Sequence, residues 1–344
     1  MSARRLRAAQ LMIAGGIHRL VSSGSASRLL VLNYHRLRPT PDAATRFDDG
    51  VFDTDVTTFR RQMEWLKANT VVLDEEGVFR LGLTDARRRG VVYSAVTFDD
   101  GYLDCMTLAK PVLDEMGIRG IFFVPVEMLE LRRLGWWDLA ANLLKKTARV
   151  SISVDGETYD LRGDFASALR RILNRFKLEP ADKTATLLDK LAAACEVPLA
   201  TQNEQGAELM TWAQVRELKA AGHAIGAHSL THRVLATLDP AAQVREINGS
   251  RVALEAILGC RVSSFAYPVG GPAHIDHHSV MLARQAGFDQ AFTFNTGTAT
   301  LPIADRFQIP RESAKTMSVL QAKVLLPGVM GLHRGIPLAT LSSG

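Results

Sequence analysis

Seven short apolar runs punctuate the chain: LLVLNYH (29–35), VVYSAVTF (91–98), GIFFV (120–124), HAIGAH (223–228), SSFAYP (263–268), QAFTF (290–294) and RFQIP (306–310). Most are near-continuous rather than alternating, as expected of strands buried on both faces. Helical patterns separate them. Residues 56–68 place Phe59, Met63 and Leu66 on one stripe. Residues 103–116 contain Pro111, which predicts a break and a new helix with proline in its first turn, closed by Gly117. Further helices are predicted over 211–222 with Thr211 as N-cap, over 240–259 closed by Gly259, and over 279–288. Strand–helix alternation of this kind predicts an α/β fold of parallel strands with helices outside.

Residues 126–210 break the rhythm, with helical stretches, few strong strands and a possible hairpin in SVDGETYDLRG (153–163). They read as a mostly helical insertion or cap within a barrel spanning 29–315. Residues 1–28 form a basic N-terminal helix or arm, and 316–344 a C-terminal helix and tail. At 344 residues, 47% hydrophobic and 22% charged, the chain has room for one large domain or two modest ones. A net charge of +5, with no aromatic-interleaved basic run, argues against nucleic acid. Cys105, Cys195 and Cys260 lie far apart and read as small buried thiols in a reducing compartment.

No apolar run is long enough to span a bilayer. From Met1 to Arg38 there are seven arginines and no acidic residue, and residues 3–21 read either as a helix packing on the domain or as a basic helix at an anionic membrane surface. The apolar stretch LMIAGGI is short and interrupted for a signal peptide. Cytoplasmic action is therefore expected, with peripheral contact at the inner membrane face left open.

In parallel α/β folds ligands meet the C-terminal ends of the strands, so polar residues there are the ones to collect. Asp99 and Asp100 follow VVYSAVTF, His35 ends the first run, and His228 ends HAIGAH with His232 four residues on. Tyr267, Pro268 and Gly270 follow SSFA, and Arg311 follows RFQIP. Two histidines and a carboxylate suit Zn²⁺ or another divalent ion (Co²⁺, Ni²⁺, Fe²⁺). The adjacent carboxylates can then divide roles, one neutralising the cation and one remaining free.

TFDDGY (97–102), HSLTH (228–232) and FAYPVGG (265–271) together resemble the polysaccharide deacetylase family, the NodB-homology carbohydrate esterases. The chain is most similar to the branch with an N-terminal YH strand, FAYP and a late PR, and WWD at 136–138 opens the insertion as in many of those relatives. The resemblance implies an irregular (β/α) barrel of about seven parallel strands. It also implies removal of N-acetyl groups from a sugar in a polysaccharide or glycolipid precursor, by a water activated on a bound metal. Carried over by motif, Asp100, His228 and His232 would hold the metal, Asp99 would be the general base, and an N–H of the Tyr267–Gly270 loop would face the oxyanion. Where many relatives have an arginine this chain has Ala266, and Arg311 is the candidate replacement. The family's late histidine motif has no clear counterpart, since His333 lies in a glycine-rich tail, so His35 is the candidate general acid. Trp136 and Trp137 are candidates to stack on a sugar ring or to anchor the insertion. His274, His277 and His278 read as a solvated loop, and His223 as packing. Hydrolysis of another amide or ester, or glycan binding without turnover, are the alternatives.

Overall fold

The computed structural model describes residues 3–14, 26–83 and 90–326. In chain order the strands are β1 (Arg28–Tyr34), β2 (Arg36–Arg38), β3 (Phe52–Asp55), β4 (Val71–Val72), β5 (Val92–Phe98), β6 (Ile121–Val124), β7 (Ser151–Val154), β8 (Glu157–Asp160), β9 (Ala224–Ala227), β10 (Ser264–Ala266), β11 (Gln290–Phe292), β12 (Ala299–Thr300) and β13 (Arg311–Glu312). The main sheet runs β11-β10-β9-β6-β5-β1, every neighbouring pair parallel. On the other edge of β1 lie β13, parallel, and β12, antiparallel. A parallel bridge between Phe292 and Ile309 ties β11 to the chain entering β13, so the curled sheet returns on itself. This is a (β/α) barrel of about seven parallel strands, as the apolar runs and the family resemblance imply.

The period-two geometry of a strand explains why the runs are continuous. Leu30, Leu32, Tyr34, Val96, Phe98 and Phe122 face outward under the helices. Leu29, Val31, Ala95, Ile121, Phe123 and Phe292 fill the lumen. Both sets are buried, so neither face needs polar residues. The parity that sends Leu29, Val31 and Ala95 inward also places Asn33, Thr97 and Asp99 at the top of the lumen.

One expected strand is displaced. Residues 306–310 form a turn in which Ile309 alone makes a bridge, and strand pairing begins at Arg311. Asp305 fixes the turn by accepting hydrogen bonds from the Phe307 N–H at 2.8 Å and the Gln308 side-chain amide at 3.0 Å. The helices follow their predicted signals. Val56–Asn69 buries Phe59, Met63 and Leu66. A π-helical turn at Cys105–Ala109 precedes the helix Lys110–Met116, which carries Pro111 in its first turn. Thr211 forms a capping box with Gln214, and Pro240–Leu258 ends on Gly259. His277 and His278 open a helix rather than lying in the loop before it, because Asp276 caps the helix start through the Ser279 N–H.

Between β6 and β9 the chain builds helices Val126–Glu130, Trp136–Lys146, Phe165–Leu178, Thr184–Cys195 and Gln202–Gly206, with the β7–β8 hairpin among them. The helix Ala3–Ala14 sets Ala9 against Ala322 and Leu326, beside the helix Met317–Leu325. Its apolar side is thus covered by the chain itself. Residues 15–21 and His333 lie outside the described residues. Among the described residues no helix is long and apolar enough to cross a membrane.

Candidate active site

Because the strands are parallel, their C-terminal ends open on one side, and four of them deliver polar groups there. β1 ends before His35, β5 before Asp99 and Asp100, β9 before His228 and β10 before Tyr267, while Phe294 stands two residues beyond β11. All of these residues line one cleft of about 270 Å³.

The two aspartates meet different partners. Asp99 is gripped by Arg311, whose NH1 and NH2 donate to its two carboxylate oxygens at 2.7 and 2.8 Å. Asn33 donates a further hydrogen bond to Asp99 Oδ2 at 3.1 Å. The guanidinium is itself fixed by the Thr293 carbonyl at 3.0 Å and Asn33 Oδ1 at 2.9 Å. Burial pushes the Asp99 carboxyl up, but the adjacent Arg311 guanidinium outweighs it and holds the pKa well below the usual carboxylate range. Asp99 is therefore a carboxylate at any working pH. Arg311 enters from β13 and takes up the contact that Ala266, buried in the lumen, has no side chain to make.

Asp100 turns the other way, with φ +71°. Its Oδ1 lies 3.2 Å from His232 Nε2 and 3.5 Å from His228 Nε2. His228 donates its Nδ1–H to the Ala266 carbonyl at 2.8 Å, which leaves a bare lone pair at Nε2. Burial lowers the His228 pKa to about 4, so the ring is neutral. A carboxylate oxygen buried without a hydrogen bond thus faces an imidazole lone pair. Two acceptors turned on each other are unfavourable unless a cation lies between them. Ligand atoms of Asp100, His228 and His232 all lie within 4.8 Å of one another, the one such group among the described residues. The donor set fits a divalent metal, and the Nδ1 hydrogen bond is the outer contact that orients a metal-ligating histidine.

His35 stands across the cleft. Its backbone N–H and its Nδ1 both reach Asp53 Oδ2, at 2.7 and 3.3 Å. Burial lowers its pKa, but the hydrogen bond and charge of Asp53, with the two site aspartates, raise it overall to about 9. At neutral pH it is an imidazolium whose Nε2 makes no hydrogen bond among the described residues.

The third loop departs from expectation. The Tyr267 N–H is spent on the Phe292 carbonyl at 3.0 Å, the Gly270 N–H on the Pro268 carbonyl at 2.6 Å, and Pro268 has none to give. These three therefore offer no amide to an oxyanion. Among the described residues the Val269 N–H is the amide of this loop left without a partner, and Val269 lines the cleft at φ +59°. Trp137 lines the cleft with its ring 4.5 Å from that of His232, and its indole N–H donates to Tyr102 Oη at 2.8 Å. Tyr102 in turn donates to Asp138 at 2.6 Å. Trp136 stacks on Phe176. Among the described residues His274, His277 and His278 join no ligand group, and buried His223 is held by Gly120 N–H and Asp114.

Sequence reasoning missed Asn33, Asp53 and Glu246. Asn33 was discoverable as the polar residue inside an apolar strand. Asp53 is one of several aspartates in DDGVFDTD, and nothing in the sequence singles it out. Glu246 accepts the Leu230 and Thr231 N–H groups at 3.0 and 2.9 Å, clamping the loop that carries His232 from the second turn of the helix Pro240–Leu258 that follows it.

Comparison with known proteins agrees with this architecture. The sequence model described as polysaccharide deacetylase matches residues 87–291, more than half of the chain. Among solved structures the chain resembles the deacetylase PplD of Streptococcus pyogenes, with 16% identity over 83% of this chain and 92% of that one and a TM-score of 0.53. It also resembles IcaB of Ammonifex degensii, with 18% identity, 87% and 97% coverage and a TM-score of 0.53. The polysaccharide deacetylase BC0361 of Bacillus cereus gives 19% identity, 87% and 69% coverage and a TM-score of 0.52. At these identities the likeness speaks for the fold. No curated protein matches the chain. The match over 87–291, on a barrel of this topology, establishes that this chain belongs to the polysaccharide deacetylase family.

Proposed function

We propose that this deacetylase is metal-dependent and removes N-acetyl groups from a sugar in a polysaccharide or glycolipid precursor, with Asp100, His228 and His232 as the metal ligands. A divalent ion bound there, Zn²⁺ or a similar first-row metal, would polarise the acetamide carbonyl and bring the pKa of water down toward about 7. The chain's own residues do the rest. Asp99, kept ionised by Arg311, takes the proton of the attacking water. Attack on the carbonyl carbon gives a tetrahedral oxyanion, toward which the Val269 N–H is the free donor of its loop. The C–N bond then breaks as His35 passes its Nε2 proton to the leaving amine, giving acetate and an amino sugar. Trp137 positions His232 and offers a ring to the sugar.

The observation that supports this most directly is the pairing of opposite protonation states across one cleft. A carboxylate held ionised faces an imidazole held protonated, beside the Asp100, His228 and His232 donor set. Acetate release from N-acetylated oligosaccharides and glycolipids is the test. Asp99→Asn should lower the rate by about 10²–10⁴-fold, and His228→Ala should abolish it. Full activity in either variant would refute the assignment.

A further inference from the structure

A second cavity of about 600 Å³ adjoins the catalytic cleft and shares Trp136, Trp137 and His232 with it as a common wall. Its remaining walls come largely from the segment between β6 and β9. Their buried part is apolar: Met128, Leu134, Leu139, Leu188 and Val234, with Phe176 beside them. Its charged members are all exposed (Glu127, Arg133, Asp182) or half-buried (Glu179, Arg233) and mark the side toward solvent. Sugar hydroxyls pressed onto that buried floor would give up water without finding partners. Hydrocarbon would gain from the apolar surface it removes from water there. The size lies within the range of pockets that enclose a small-molecule ligand. A void with an apolar floor that adjoins the catalytic cleft suits a chain that continues from the reacting sugar.

We infer that the substrate is lipid-linked and that this cavity holds the first part of its hydrocarbon chain while the N-acetyl sugar occupies the cleft. The inference rests on the N-deacetylase reading proposed above and narrows its substrate from polysaccharide or glycolipid to glycolipid.

The test uses the full chain with the methyl and dodecyl glycosides of N-acetylglucosamine, the latter below its micelle concentration. In calorimetric titration the dodecyl glycoside should bind at least about a hundredfold more tightly than the methyl one. Ala185→Trp fills the cavity from an exposed helix position, and Leu199→Asp sets a charge in its half-buried wall. Each should cut the dodecyl advantage by at least about tenfold, leaving the methyl glycoside's affinity unchanged. Equal binding of both glycosides, or an advantage that survives both substitutions, would overturn the inference. Acetate release separates the two readings. Tight dodecyl binding with no acetate from either glycoside would contradict the deacetylase reading while supporting hydrocarbon in the cavity. Equal acetate release from both, with no difference in binding, would overturn the inference and leave the deacetylase reading intact.

Discussion

Asp99 and Asp100 are neighbours in sequence, and what separates their chemistry is the company each keeps. Asp99 and Arg311 are both buried, so their attraction is little screened and removing either partner strands a charge. Arg311→Met should therefore destabilise the protein by about 3–5 kcal/mol in urea titration. Arg311→Lys keeps the charge but not the two-pronged geometry, and should fall between. His35 gives a pH prediction. Its raised pKa keeps the acid form through neutrality, so acetate release should decline as pH rises through about 9. The same shift stabilises the fold fully below the ordinary imidazole value of about 6.5 and is lost as pH rises through about 9. In Asp53→Asn the alkaline limb should move down toward that ordinary value, and a limb that stays in place would exclude His35 as the acid. Asp99, Asp100, His228, His232 and Arg311 were legible because a polar residue closing an apolar run has few structural reasons to be there. Asp53 was not, since its role depends on β3 passing beside β1's end, a contact that no local pattern encodes.

At the scale of elements, the site is held by loops in uncommon backbone conformations. Asp100, Ser229, His232 and Val269 all have positive φ, and none is glycine. Each such residue costs about 1–3 kcal/mol, which the surrounding hydrogen bonds must offset. Gly270 continues the strained turn at φ +58°, where an added Cβ would lie 2.7 Å from Phe294 N and 2.9 Å from the Tyr267 carbonyl oxygen. Both neighbours are backbone and cannot swing aside. Gly270→Ala should lower stability by at least about 1–2 kcal/mol and slow acetate release by displacing Val269. An unchanged melting temperature would show that the loop has slack. Helix limits were readable because caps are local: Thr211 with Gln214, Pro111, Gly117 and Gly259 each act within one turn. The 306–310 run was misread because β propensity cannot anticipate the Asp305 side chain that locks it into a turn.

The whole molecule joins a closed parallel barrel, which gathers the polar strand ends, to the segment between β6 and β9, which supplies Trp136, Trp137 and the second cavity. Strand–helix alternation made the barrel legible, because parallel strands need crossovers and the crossovers are helical. The antiparallel β12 and the short β2–β3 and β4 pairings escaped notice, being two to four residues long with no apolar run of their own. The central claim is the division of labour between Asp99 and Asp100, and one paired measurement tests it: bound divalent metal per chain, alongside acetate release, in Asp99→Asn and Asp100→Asn. The account predicts that Asp99→Asn retains the metal and loses turnover, whereas Asp100→Asn loses both. Metal lost from Asp99→Asn, or retained with full turnover in Asp100→Asn, would contradict it.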